Sequence, residues 1–147
     1  MSDYIAARER LRHLRAELKI VGRREFDQLS KRLFEEHPTL QSFSWKQYTP
    51  YFNDGDTCEF SAHTDVDSIQ VNDVWGDDIE STEPYDPELR NWDAYKEGRE
   101  EGLKLHKAVA SFLQVFDEED LETFFGDHVK VTIHRDGEVD TKDHHHD

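Results

Sequence analysis

At His37–Pro38 the hydrophobic period of the chain changes, and that change sets the class of fold. Upstream, Leu11, Leu14, Leu18, Val21, Leu29 and Leu33 recur at spacings of three and four, with one gap near Glu25. That is one face of an α-helix. The spacing predicts a single long helix over 3–36. Ser2 or Asp3 caps its start, and Pro38 ends it because proline disfavours helical geometry at the residue before it. From Ser42 onward the period is two. The stretch "FSWKQYTPYF" sets Phe43, Trp45 and Gln47 against Ser44, Lys46 and Tyr48, and "CEFSAHT" and "DSIQVND" continue the pattern with Phe60, Ile69 and Val71. These predict three strands of an antiparallel meander.

Asn53–Asp54–Gly55–Asp56 lies between the first two of those strands. Asp-Gly marks a hairpin, because a type I′ turn needs positive φ at both central residues. Pro50 cannot donate to a ladder and implies an edge strand or a bulge. Residues 73–88 are acidic, hold two prolines and lack a period, so they predict a loop. A second long helix follows from about Pro87 to Phe116, with Asp86 at its cap and Trp92, Tyr95, Leu103, Val109, Phe112, Leu113 and Phe116 on its buried face. Gly98 and Gly102 beside that face imply a close approach of another element. A short helix over "DEEDLETFF" and a hairpin turning at Asp136–Gly137 complete the chain. The expected fold is one α+β domain over 1–147: two long helices packed on one face of an antiparallel sheet of about five strands.

Charge restricts function more than fold. The net charge is −16 and unevenly spread. Residues 1–46 carry ten Lys and Arg against seven acids, whereas residues 47–89 carry twelve acids and no Lys or Arg. Such a surface repels nucleic acid and anionic membrane and attracts basic proteins or cations. The chain's 17 aromatic residues argue for a packed core rather than an acidic disordered segment. The opening has no apolar secretory core, no run approaches the ~20 apolar residues of a membrane span, and Cys58 has no thiol partner in the chain. A cytoplasmic protein is expected.

Four constellations invite a chemical reading. "NDGDTCEF" lacks the ligand series of a calcium-binding EF-hand, and a structural hairpin accounts for it. His128, His134 and His144–His146 gather near the C-terminus, without the Cys or His spacing of a zinc site. Glu59, His63 and Asp65 can share a strand face and would suffice for general acid–base work, although alternating polar residues also describe the wet face of a sheet. No GxSxG, P-loop or GxGxxG is present. The basic face of the first helix, with Arg8, Arg12, Arg15, Lys19 and Arg23, is better suited to acidic protein segments than to nucleic acid, given the charge of the remainder. No catalytic residue, metal or cofactor is assigned.

The stretches "FSWKQYTPYFNDGDTCEF" (43–60) and "FGDHVKVTIHRDGEVDTKDHHHD" (125–147) resemble those of a family of small uncharacterised acidic proteins of tailed bacteriophages. The resemblance spans about a quarter of the chain. It implies a phage origin and a host-cell location, and it brings no activity. Together with the base-free segment it leads to one functional expectation: a non-enzymatic decoy or inhibitor whose negative surface imitates a nucleic acid before a basic host protein. Asp54, Asp56, Asp65, Asp67, Asp73, Asp77, Asp78, Glu80 and Glu83 would form that surface. The alternatives are a structural or assembly protein that self-associates through its basic first helix, and a small hydrolase or metal-dependent enzyme using Glu59, His63 and Asp65.

Overall fold

A computed structural model describes residues 2–50, 58–76 and 92–144, with side chains from residue 99 onward in the last stretch. Helix α1 (Ser2–Glu36) leads through a turn to β1 (Ser42–Tyr48). β2 (Ser61–His63), a 3-10 turn (Val66–Ser68), β3 (Gln70–Val71) and β4 (Val74–Trp75) follow. Helices α2 (Trp92–Leu113) and α3 (Glu118–Phe125) precede the hairpin of β5 (Val129–His134) and β6 (Val139–Asp143). The fold is α+β, with six strands in one antiparallel sheet. Its order is β4-β3-β1-β5-β6, and β2 also pairs with β1. Among the described residues no helix is long and apolar enough to cross a membrane.

The strands depart from the expected meander. β2 and β3 do not pair with each other; each pairs with β1, at residues 46–48 and 43–44 respectively. β1 is therefore a central strand, flanked on its other side by β5 over six register pairs. Pro50 is compatible with that position because β1 ends at Tyr48, before the missing N–H matters. The expected loop over 73–88 begins instead inside a hairpin. Asn72 and Asp73 both have positive φ, 51° and 67°, and they join β3 to β4 as a type I′ turn does. Asn72 is fixed there by its own side chain: Oδ1 accepts from the backbone N–H groups of Gln41 and Ser42, and Nδ2 donates to Thr39 O. The Asp54–Gly55 hairpin, the start of the second helix at Pro87, the side chains of Trp92 and Tyr95 and the surroundings of Gly98 lie outside what the structure describes.

One core sits between the sheet and the helices, and Phe26 is its centre. This fully buried ring lies 5.0 to 6.4 Å from the rings of Phe116, Phe125, Phe112, Trp45 and Phe124. Phe34 stacks on Phe43 of β1 at 5.6 Å. From α2 the buried residues are Leu105, Val109, Ala110 and Leu113, and from the sheet Val71, Val131 and Ile133 join them. Gly22 lets α3 close on α1, since a Cβ there would stand 2.6 Å from the Phe124 ring.

The fully buried amide and imidazole of this core, Gln47 and His106, are hydrogen-bonded. Gln47, wholly buried, accepts from Trp45 Nε1 at 2.8 Å and donates to Leu121 O and Gly126 O. Its amide thereby ties β1 to the end of α3. Arg135, in the β5–β6 turn, donates to Phe34 O, His37 O and Leu40 O and so caps the C-terminal end of α1, where a cation also suits the helix dipole. His106 of α2 lies between Gly102 O and Val74 O, linking α2 to β4. Burial opposes ionisation of Asp127, but hydrogen bonds from Thr49 Oγ1, His128 N and Thr49 N, with His128 nearby, outweigh it. The Asp127 carboxyl is held below its ordinary value.

Candidate functional site

Helix α1 is only partly used by this core. Its buried residues are Phe26, Ser30, Leu33 and Phe34, while every residue from Ser2 to Val21 is exposed. The long helix expected to lie along the sheet thus packs through its last third, and the rest forms an arm. The cause is length: 35 residues span about 50 Å at 1.5 Å each, whereas the longest strand, seven residues, reaches about 23 Å. Arg23 marks the junction, with its guanidinium 4.6 Å from the Phe125 ring and its Nε bonded to Asp27.

The arm is apolar along one side. Seven of the nine large hydrophobic side chains exposed among the described residues belong to it, Leu14 (55% exposed) and Leu18 (44%) among them. Tyr4, Ala7, Leu11, Leu14, Leu18 and Val21 follow alternating steps of three and four, the seam of a coiled coil over nearly three heptads. The seam stops at Glu25, where the helix enters the body. Arg8 and Arg15 flank it on one side; Asp3, Arg10, Glu17 and Arg24 flank it on the other.

The acidic candidates divide. Asp65 and Asp67 stand at the 3-10 turn, Asp73 stands in the β3–β4 turn, and all three are exposed. The 3-10 turn lies against the open end of the β3–β4 hairpin, where Gly76 N donates to Ile69 O and a Cβ on Gly76 would meet Val66 O, and Asp73 lies at the hairpin's other end. Asp54, Asp56, Asp77, Asp78, Glu80 and Glu83 lie outside the described residues. Glu59 is exposed before β2, and His63 stacks on Tyr48 at 4.6 Å. Among the described residues no three His, Cys, Asp or Glu side chains converge as a metal site, so Glu59, His63 and Asp65 are not gathered into one. His145 and His146 lie outside the described residues; His134 Nε2 is 2.9 Å from Asp140 Oδ2, and His144 lies against Tyr48.

The side of the sheet facing away from the core carries a feature that the sequence reading passed over. Strand register sets His63, Lys46, Lys130 and Lys142 in one row across β2, β1, β5 and β6. Lys46 Nζ and Lys130 Nζ lie 5.0 and 5.3 Å from the centre of the Trp75 ring. Burial, and then Lys46 and Lys142, lower the Lys130 pKa, while Asp73 acts in the other direction. Beside this row Ser44 Oγ donates to Thr132 Oγ1 at 2.9 Å. The alternation Ser44–Lys46–Tyr48 and Lys130–Thr132–His134 was visible; which lysine faces which was not.

Comparison of the chain with protein-family models, curated proteins and solved structures finds no match in any of the three.

Proposed function

We propose that this protein acts by macromolecular association rather than by catalysis, and that its α1 arm pairs with the arm of a second copy. The observation that carries this reading is the alignment of five of the arm's seven exposed large hydrophobic side chains, Tyr4, Leu11, Leu14, Leu18 and Val21, along one side of the helix. A contiguous apolar surface of that kind marks an association site. A second copy is the occupant that fits the seam. In an antiparallel pair Tyr4 meets Val21, Ala7 meets Leu18 and Leu11 meets Leu14, so each free arm is covered along its length. The flanking charges suit the same register: by symmetry Asp3–Arg24 and Arg10–Glu17 each occur twice, four attractions against the two repulsive Arg8–Arg15 contacts. A parallel pair opposes Arg10 to Arg15 and retains only the Asp3–Arg8 attraction.

Light scattering coupled to size exclusion tests this. The expected species has twice the 17.4 kDa chain mass, and Leu11→Asp with Leu18→Asp returns it to the monomer without changing its fold by circular dichroism. A monomer at every concentration, or a dimer indifferent to both substitutions, would overturn the reading.

A second reading concerns the acidic surface. Asp65, Asp67 and Asp73 are exposed on two turns, at the two ends of the β3–β4 hairpin, and this supports a surface that meets a basic protein in the host cell of a phage. An arm-paired dimer would offer two such surfaces and gain from bivalent engagement. Pull-down from host lysate at low and high salt is the test. One basic partner released by salt, and lost on Asp65→Asn, Asp67→Asn and Asp73→Asn together, is expected; salt-indifferent capture would sink the idea.

A further inference from the structure

Lys46, Lys130 and Lys142 are successive Cα partners across three adjacent strands. Neighbours on one sheet face stand about 5 Å apart, and like charges placed so oppose each other. In a chain with 34 acids and 18 bases acids are plentiful, yet among the described residues none is a strand partner in this row. Asp140, on the same strand as Lys142, is engaged with His134. Two of the ammonium groups share the Trp75 ring, so they are gathered rather than splayed apart.

We infer that this row is an anion site, and that its ligand carries a dianionic phosphate, as a phosphomonoester or pyrophosphate does. A phosphate of nearly two charges presents three acceptor oxygens, which suits three lysine point charges. A carboxylate brings one charge, and a phosphodiester one per phosphate. The hydroxyls of Ser44 and Thr132 lie two residues along their strands to one side, the His63 ring ends the row, and the Tyr48 and His144 rings border the other side. An anion bound here offsets the repulsion of Lys46 and Lys142 on Lys130, which adds to burial in lowering the Lys130 pKa and which Asp73 only partly counters. This site is independent of the arm and of the acidic surface.

Titration of the full chain with sodium pyrophosphate at low ionic strength, followed by backbone amide shifts, tests it. Saturable shifts confined to β1, β5 and β6 are expected. Lys130→Gln should weaken binding about tenfold, the loss of one charge-assisted contact, and the exposed Lys142→Gln provides a second variant that leaves the fold intact. Lys104→Gln, on the exposed side of α2, should leave binding unchanged. Adenosine monophosphate should bind at the same residues, and an eight-residue oligothymidylate should bind more weakly per phosphate. Shifts that never saturate, shifts unaltered in both row variants, or tighter binding of the oligonucleotide would each overturn the assignment.

Discussion

Between Phe26 and Phe34 helix α1 is built into the core, whereas between Ser2 and Val21 every residue of the same helix is exposed. Both parts carry apolar residues at helical spacing, so periodicity alone does not separate them. Residue type does. The anchored part presents Phe26 and Phe34 to a nest of aromatic rings, with Gly22 and Ser30 small enough to admit close neighbours. The arm presents leucines in a regular seam, and regular seams suit another helix better than an irregular core. A free helix of about 20 residues is of marginal stability in water, which gives pairing a second benefit.

The comparison predicts its own largest effect. Phe26→Ala should destabilise the fold by about 3–5 kcal/mol, as large-to-small changes at fully buried aromatics do, measured by urea unfolding. Leu14→Ala, changed by the same logic on the arm, should shift the unfolding of the dilute monomer by no more than about 0.5 kcal/mol. Equal losses would mean that the arm is part of the body. Gln47→Leu comes next, at about 2–3 kcal/mol, because it leaves the buried Trp45 N–H without its acceptor and removes the two bonds to Leu121 O and Gly126 O. Since α3 is what the anchored part of α1 packs against, this variant should also expose Phe26 to solvent, and unchanged aromatic circular dichroism would contradict that.

Legibility followed the same division. Period and punctuation marked the extent of α1, and marked β1, α3 and the β5–β6 hairpin, because in those three the local pattern agrees with the tertiary environment. The β3–β4 hairpin escaped notice because Asn72 and Asp73 take up positive φ without a glycine to announce it. The two short strands sharing one edge of β1 were read as a meander because nothing local states which strand is the neighbour. The arm was seen as a stripe but assigned to the core, although a helix of 35 residues outspans any sheet built from strands of two to seven. The lysine row depends on the register between β1 and β5, which lie far apart in the chain, so local pattern carries no trace of it.

Acid should act on the body and spare the arm seam. Asp127 has a lowered folded pKa, so its stabilisation is complete above the ordinary carboxylate value of about 4 and is lost as pH falls through the lower folded value. Asp127→Asn should therefore lower stability at neutral pH and flatten the decline below pH ~4. A variant whose acid unfolding parallels that of the parent would show that the Thr49 and His128 contacts contribute little.

The smallest effect is also the one that distinguishes between arrangements of the arms. Exposed flanking pairs are worth only a few tenths of a kcal/mol each, but their sign depends on orientation. In the antiparallel pair Arg10 meets Glu17, and Arg10→Glu replaces two attractions by two repulsions, so the dimer should weaken by about 1 kcal/mol in total. Adding Glu17→Arg should restore it, because the charges are then exchanged rather than lost. In a parallel pair Arg10 meets Arg15, and the same Arg10→Glu change would strengthen the dimer. Sedimentation equilibrium of the three proteins at low salt therefore reads the orientation from the direction of a shift, even where its size is modest.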